Sequence, residues 1–325
     1  MQGRLENELK IYGSVENKLK DYPSYVNDWY RILKASGCTA STCRDYVNKV
    51  GLFLKSIDTE IKSIRISDIT QRNVANFFAS VKTKKNNKGE EKPTTNSYQR
   101  AFYMCLNNFF SYLQKSGSCE RNYMDIIGVP KRKDDHVERI RLTEDDFNKI
   151  LQYQESKNPF LWYRDNAILL IFMTTGIRRS ALASINISDI DFDNGILTVV
   201  DKGDKTLSYR LPNKAMTAIY KWLRVRRSHI INETEALFIS LYGNRIHSMD
   251  IYSAIKKHTY DALGVELSPH KLRAGFVTIM YEQTHDIEKV RRMVGHSNAT
   301  TTQRYIVTDN QEKEEAANIM ESLLI

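Results

Sequence analysis

A break near the middle of the chain places the strongest limit on how it folds. Residues 128–135 (Gly-Val-Pro-Lys-Arg-Lys-Asp-Asp) contain a proline, change from basic to acidic and show no apolar periodicity. These are features of a linker, which we place at 128–141. Because 325 residues suffice for two domains, we predict one domain over 21–127 and another over 142–325. Residues 1–20 are predicted to form an N-terminal helix or arm.

The segment before the linker repeats apolar residues at helical spacing in four places. The groups are Tyr25, Trp29 and Leu33; Tyr46, Val50, Phe53 and Ile57; Val74, Phe77, Phe78 and Val81; and Tyr98, Phe102, Cys105, Phe109 and Leu113. This spacing predicts an all-helical bundle. Residues 82–92, between the third and fourth groups, carry five lysines and are predicted to form a polar loop.

The segment after the linker mixes helical and strand patterns. A helix opens at 142–146 with acidic residues in its first turn, and a strongly apolar helix is predicted over 163–175. Two strand-prone runs, 195–200 and 206–211, flank 201–205 as a hairpin, and 237–240 is predicted as a short strand. Further helices are predicted over 213–228, 248–263, 269–283, 286–295 and 309–325. The predicted fold class is therefore mainly α with a small β-sheet: a helical bundle followed by an α+β domain.

Charge is distributed unevenly along the chain. Residues 1–140 have a balance of +8 and residues 141–325 a balance of +1. This asymmetry is typical of a polyanion-binding module joined to a near-neutral one, and on charge alone a merely soluble surface is an equal alternative. No apolar run approaches the roughly 18 residues of a membrane span, and the N-terminus lacks a signal-peptide pattern. The four cysteines form no CxxC pair, so we expect reduced thiols in a cytoplasmic protein.

Three short segments of the second half combine cationic or imidazole side chains with helix ends. Residues 174–179 (Thr-Thr-Gly-Ile-Arg-Arg) end a buried helix, and 268–273 (Ser-Pro-His-Lys-Leu-Arg) start one with His270 and Arg273 on one face. Residues 293–296 (Met-Val-Gly-His) end another helix, and Tyr305 follows nine residues later. Each segment alone is a weak signal, but their order and spacing together are specific.

The set Arg178, Lys202, His270-x-x-Arg273, Gly295-His296 and Tyr305 resembles the signature of the tyrosine recombinases, the phage integrase and Xer group. The resemblance covers nearly the whole chain. It implies a helical core-binding (SAM-like) domain over 21–127 and a catalytic domain over 142–325, which together form a C-shaped clamp on double-stranded DNA.

The resemblance also implies a role for each catalytic residue. Arg178 and Arg273 would hold the scissile phosphate, and His296 would be a further donor. Tyr305 would be the nucleophile that forms a 3′-phosphotyrosine. His270 would manage protons near the tyrosine, and Lys202 would protonate the leaving 5′ oxygen. This set implies no metal and no nucleotide cofactor.

Some positions depart from the family pattern or leave alternatives open. The family commonly has an acidic residue three positions after the first arginine and often a second histidine after the second one; this chain has Ala181 and Ala274 there. Arg179 is the alternative to Arg178, and Lys205 to Lys202. The rival tyrosines are Tyr209, Tyr260 and Tyr281, none of which follows Gly-His at the required distance.

The predicted function is site-specific recombination on inverted-repeat core sites. A DNA-relaxing enzyme of the type IB topoisomerase kind and a catalytically silent DNA-binding accessory protein are the alternatives.

The resemblance implies a homotetramer that exchanges the helix 309–325 between protomers, although this helix could also dock on its own domain. Accessory DNA-bending or directionality factors are possible partners, and the site of action would be the nucleoid. The role could be integration and excision in a mobile element, inversion or resolution. Candidate DNA contacts are Lys82, Lys84, Lys85, Gln99, Arg100, Lys131, Arg132 and Lys133.

Overall fold

In a computed structural model, the chain divides into two compact units: Leu5–Val137, and Glu138–Ile325 grouped with Met1–Arg4. The structure describes residues 2–85, 89–131, 142–153, 158–201, 205–229 and 234–295. The boundary between the units falls within the segment that the sequence predicts as a linker. The predicted helix over 309–325 and most of that linker lie outside the described residues.

Within its described residues, the first unit contains five α-helices. They are α1 (Gln2–Leu19), α2 (Ser24–Ala35), α3 (Ala40–Lys55), α4 (Gln71–Val81) and α5 (Asn96–Lys115). The four predicted apolar groups lie along α2 to α5, except that Ile57 lies just after the end of α3. Threonine hydroxyls at positions 39, 70 and 95 accept hydrogen bonds from the first turns of α3, α4 and α5, as helix N-caps do.

Aromatic side chains dominate the core of this unit. Trp29, Phe53, Phe109 and Phe110 are all buried. The rings of Trp29 and Phe109 meet edge to face with centroids 5.0 Å apart, a favoured aromatic geometry. The Trp29 indole Nε1 donates to Asn108 Oδ1 at 2.9 Å, so the polar atom of this buried ring has a partner.

The lysine-rich segment 82–92 contains a short hairpin, which corrects the prediction of a loop throughout. Strands β1 (Thr83–Lys85) and β2 (Glu91–Pro93) pair in antiparallel fashion, and all six residues are exposed. The Thr94 amide donates to Lys82 O at 2.8 Å and the Thr94 hydroxyl to Val81 O at 2.6 Å. The hairpin is held by backbone pairing and by these two Thr94 bonds. Because none of its strand residues is buried, its sequence has no alternating apolar pattern from which it could be predicted.

The second unit combines seven helices and one antiparallel sheet within its described residues. The helices are α6 (Glu144–Gln152), α7 (Pro159–Thr175), α8 (Arg179–Ala183), α9 (Asn213–Arg227), α10 (Ser248–Leu263), α11 (Pro269–Thr284) and α12 (Ile287–Met293). The sheet has the order β3 (Ile190–Asp191), β4 (Ile196–Asp201) and β5 (Lys205–Arg210). The predicted fold class, mainly α with a small β-sheet, is confirmed; α8 and β3 were not predicted.

Helix α7 is apolar around most of its circumference because it passes through the core of this unit. The segment 234–239 packs nearby through side-chain bonds: Trp222 Nε1 donates to Leu237 O at 2.8 Å, and Arg226 Nε to Ala236 O at 3.0 Å. The predicted strand over 237–240 is wrong, since the backbone there forms only isolated bridges, including Ile239 with Arg245. Across the described residues, no helix is long and apolar enough to cross a membrane.

Candidate active site

Arg178 lies at a sharp turn where α7 stops. Gly176 ends that helix in the left-handed conformation, with φ of 59°, and its amide donates to Phe172 O at 2.9 Å. A β-carbon at Gly176 would collide with the Phe276 ring of α11, so both conformation and packing require glycine there. The turn puts Arg178 immediately before α8, with its side chain 28% exposed and its Nη1 donating to Asp201 Oδ2.

Arg273 links three segments that are far apart in sequence. It lies in the first turns of α11, which Ser268 caps by accepting from the Lys271 amide. Its guanidinium is buried, with Nη1 donating to Gly176 O and Nη2 donating to Val294 O at 2.6 Å. One side chain therefore connects α11 to the turn that carries Arg178 and to the end of α12, two residues before His296 in the sequence.

The end of α12 also packs on the β-sheet. Gly295 has φ of 66°, and a β-carbon there would collide with the Leu207 side chain of β5. Strand β5 is paired with β4 in the register Asp201–Lys205 and Leu197–Tyr209. The sheet, the α7–α8 turn and the start of α11 thus converge on one place in the second unit.

His270 lies three residues before Arg273 on α11. Partial desolvation lowers the pKa of its imidazole, and the positive charge of Arg273 lowers that pKa further. Both effects favour the neutral ring. A neutral imidazole can accept a proton, which is the behaviour required of a general base.

Three candidate catalytic residues, Lys202, His296 and Tyr305, lie outside the described residues. Their sequence neighbours Asp201, Lys205 and Gly295 are described. The structure brings together Arg178, Arg273 and His270 of the predicted set. Arg179 has different partners from Arg178: its Nη1 lies 3.8 Å from Met249 Sδ, and its guanidinium lies over the Tyr252 ring.

The second unit carries the sequence that decides the family. The sequence profile of the Phage integrase family matches residues 140–312, which is more than half of the chain. The chain belongs to this family. It is a tyrosine recombinase, an enzyme that breaks and rejoins DNA in site-specific recombination.

Known tyrosine recombinases are similar to this chain in sequence and in fold. XerC of Alcanivorax borkumensis is 33% identical over 210 residues, which span 63% of this chain and 67% of that protein. XerC of Pseudomonas fluorescens is 32% identical over 209 residues, covering 63% and 68%. XerH site-specific recombinase bound to its difH substrate superposes with a TM-score of 0.62 at 20% identity, over 89% of this chain and 82% of that one. A lambda integrase tetramer on a Holliday junction gives 0.62 at 18%, over 87% and 76%. At these identities the two structures show a shared fold.

Among the rival tyrosines of this recombinase, Tyr209 lies within the electrostatic range of Arg178 and Arg273. Burial raises the pKa of its hydroxyl to about 12, and the charges of Arg273, Asp201 and Arg178 all act on it. The hydroxyl is buried and has no hydrogen-bond partner among the residues that the structure describes. A phenol that is shielded from solvent and hard to ionise is a poor nucleophile. Tyr260, by contrast, is 56% exposed on α10.

Asp201 was not among the predicted site residues, although the sequence of β4 carries a signal for it. Leu197 and Val199 are buried on alternate positions of this strand, and Asp201 continues the same inward face. An aspartate at an inward position of a strand needs a charged or hydrogen-bonding partner. That partner, Arg178, lies 23 residues away in the sequence, so only the tertiary structure identifies it.

The predicted DNA contacts fall into two groups. Lys82, Lys84, Lys85 and Lys131 are exposed, and Arg132 and Lys133 lie outside the described residues. Gln99 and Arg100 instead have partners within the first unit: Gln99 Nε2 donates to Thr94 Oγ1 at 3.2 Å, and Arg100 Nη1 to Pro130 O at 3.2 Å. These bonds attach α5 to β2 and to the start of the linker, and a DNA contact by either side chain remains a prediction.

Proposed function

We propose that this tyrosine recombinase cleaves DNA with Tyr305 as nucleophile and with Arg178 and Arg273 as the clamp on the scissile phosphate. The observation that carries the proposal is the pair of bonds from Arg273 to Gly176 O and Val294 O. They tie the second arginine to the backbone beside Arg178 and to the backbone beside His296. Arg178, His270 and Arg273 thus lie in segments that meet, and α12, which Arg273 also contacts at its end, precedes His296 by three residues in the sequence.

Charge in the transition state explains why arginines belong there. In-line attack on a phosphodiester spreads negative charge over the non-bridging oxygens. Guanidinium groups stay cationic and can donate to two oxygens at once. A donor held in place before the reaction stabilises that charge with no reorganisation. Arg273 is buried and fixed by backbone carbonyls, so it suits this role, with His296 as a further donor.

The chemical step transfers the DNA 3′ phosphate to the enzyme. The Tyr305 hydroxyl loses its proton, with His270 as the acceptor, and its oxygen bonds to phosphorus. The bond from phosphorus to the 5′ oxygen breaks, and Lys202 gives that oxygen a proton. The 3′-phosphotyrosine conserves the bond energy, so attack by another strand's 5′ hydroxyl reverses the step and joins that strand. The lowered pKa of His270 supports its role as proton acceptor.

Recognition of double-stranded DNA would use both units as a clamp. The first half carries most of the net positive charge, +8 against +1, and the exposed lysines of the β1–β2 hairpin belong to it. Lys131, Arg132 and Lys133 would add contacts along the linker. Phosphate contacts of this kind make affinity fall steeply with salt.

Assembly would be a homotetramer on two inverted-repeat core sites, joined by exchange of the helix 309–325. The apolar stripe Ala316, Ile319, Met320 and Leu323 needs a surface to cover it. A head-to-tail contact that closes on itself gives a ring, and the lambda integrase of similar fold is a tetramer on a Holliday junction. The biological event would be integration and excision, inversion or resolution on nucleoid DNA, with accessory DNA-bending or directionality factors where direction is controlled.

A suicide substrate tests the nucleophile directly. Full-length protein is mixed with a core site that carries a nick beside the cleavage position, so that the covalent adduct cannot religate. We expect an adduct that maps to Tyr305, its loss in Tyr305→Phe, and unchanged DNA affinity in that variant. Tyr260→Phe is the matched control, because it removes an exposed tyrosine hydroxyl from the same unit. An adduct at full yield in Tyr305→Phe would refute the proposal, and relaxation of plasmids without a core site would favour the topoisomerase alternative.

A further inference from the structure

Asp201 is a buried carboxylate at the end of β4, and its Oδ2 accepts from Arg178 Nη1. The carboxylate side chain is 3% exposed, whereas the Arg178 side chain is 28% exposed. The guanidinium therefore donates to a group in the protein interior, while part of the Arg178 side chain remains accessible from outside. A guanidinium has five N–H donors in a fixed plane, so a carboxylate on one edge orients the whole group.

Burial of the Asp201 carboxylate has a free-energy cost that an apolar side chain would avoid. A charge taken out of water loses its hydration, and apolar residues of similar volume are often as stable or more so. The two preceding inward residues of β4, Leu197 and Val199, are apolar, so an apolar residue at 201 would continue the face. The charge at this position thus suits a role that depends on the orientation of Arg178.

The position three residues after Arg178 supplies no carboxylate. Ala181 lies on α8, is 6% exposed and faces the core of the second unit. Position 181 is the place where the sequence resemblance implies an acid. In this chain the acid that contacts Arg178 comes instead from β4, 23 residues along the chain.

We propose that Asp201 is a positioning residue for Arg178. From β4 it supplies the carboxylate that the family resemblance implies at position 181 on α8. The inference rests on the proposed function, in which Arg178 holds the scissile phosphate. Asp201 acts through Arg178 and touches no reacting atom. It immediately precedes Lys202 in the sequence, so the same carboxylate anchors the strand that leads into the proposed general acid.

Single-turnover cleavage of the suicide substrate at saturating DNA separates positioning from folding and binding. For Asp201→Asn we expect the cleavage rate to fall about 10- to 100-fold, while DNA affinity changes less than about threefold. Arg178→Ala combined with Asp201→Asn should be no slower than Arg178→Ala alone, because a positioning residue has no effect once its target is gone. Asp191→Asn, which removes an exposed carboxylate from β3 of the same sheet, is the matched control and should cleave at the wild-type rate.

A charge-conserving variant tests whether the position of the carboxylate matters as well as its charge. Asp201→Glu keeps the charge but moves the carboxylate by one methylene. Asp201→Glu should lower the cleavage rate about tenfold with unchanged DNA affinity. It replaces Asp201→Asn as the test if the asparagine variant does not fold.

The outcomes distinguish this inference from the proposed function. Wild-type cleavage by folded Asp201→Asn, or by Asp201→Glu if the asparagine variant does not fold, would overturn the positioning role while leaving the arginine clamp intact. Wild-type cleavage by Arg178→Ala would instead remove Arg178 from the active site, and the clamp would fail with it. Loss of cleavage in Arg178→Ala and in Asp201→Asn, without additivity, is the result that we expect.

Discussion

The two units of this recombinase treat polar groups in different ways. Asn122 is the one buried polar side chain in the described part of the first unit. The second unit buries Arg164, Asp201, Arg226 and Arg273, as well as His258. The first unit thus has an aromatic core under a basic surface, whereas the second holds charges inside.

This difference matches the task that we propose for each unit. Attraction to a phosphate backbone needs positive charge at the surface, and an apolar core is the most economical way to hold that surface in shape. Stabilisation of a transition state needs donors fixed in direction, and burial with hydrogen-bonded partners fixes them. The proposed function of the second unit depends on the orientation of its charged donors, which explains why it buries charges despite their desolvation cost.

The largest expected effect concerns the buried arginine of the second unit. Arg273→Ala should lower single-turnover cleavage about 100- to 1000-fold, since it removes a transition-state donor worth about 3–4 kcal/mol. It also leaves Gly176 O and Val294 O without the bonds that they accept. Arg273→Lys keeps a charge without the planar fork and should recover only part of the rate. Near-normal cleavage by folded Arg273→Ala would show that this buried charge is not needed for catalysis, and the proposed difference between the two units would fail.

A core substitution in the first unit should change stability and leave chemistry intact. Phe53→Ala removes a buried ring and should lower the free energy of unfolding by about 3–5 kcal/mol, read from urea denaturation followed by circular dichroism. The folded fraction should cleave saturating DNA within about threefold of the wild type. Leu52→Ala, at the exposed neighbouring position of α3, should cost less than about 0.5 kcal/mol. A specific loss of cleavage in folded Phe53→Ala would show that the first unit contributes to chemistry.

The lysines of the β1–β2 hairpin should affect binding alone. Replacing Lys82, Lys84 and Lys85 with glutamine should reduce the slope of log affinity against log salt by up to about 0.9 for each lost phosphate contact. Cleavage at saturating DNA should stay at the wild-type rate. Lys149→Gln is the control, since this exposed lysine of the second unit pairs with Asp145 and should leave the slope unchanged. An unchanged slope in the triple variant would remove the hairpin from the DNA-binding surface.

The smallest expected effect is the pH dependence set by His270. Its folded-state pKa lies below the ordinary value of 6.5, so the neutral, proton-accepting form predominates down to pH 6.5 and is lost only below it. Cleavage at subsaturating DNA reports the free enzyme and should fall by less than about twofold between pH 8 and pH 6.5. His270→Gln should be slower and should lack the acid limb. An acid limb centred above pH 6.5, or one that persists in His270→Gln, would exclude this histidine as the base.

The sequence predicts most of the helices because their signals are local. Apolar spacing located α2 to α5, and strand propensity located β4 and β5 on either side of the turn at 201–205. Glycine identified the end of α7, where φ is positive and Phe276 leaves no room for a side chain. The β1–β2 hairpin has no local apolar signal, so it could not be predicted from the sequence. Leu237, Phe238 and Ile239 are apolar and predicted a strand, whereas the structure has only isolated bridges at 236 and 239.

The candidate site divides in the same way. The order and spacing of Arg178, His270-x-x-Arg273, Gly295-His296 and Tyr305 are properties of the sequence itself, and they are enough to identify the chemistry. The partners of these residues cannot be predicted from the sequence, because a side chain's environment depends on segments far along the chain. Arg273 donates to carbonyls 97 and 21 residues away, and Arg178 to a carboxylate 23 residues away. Only the packing of α7, α11, α12 and β4 into one unit decides which groups hold the two arginines in place.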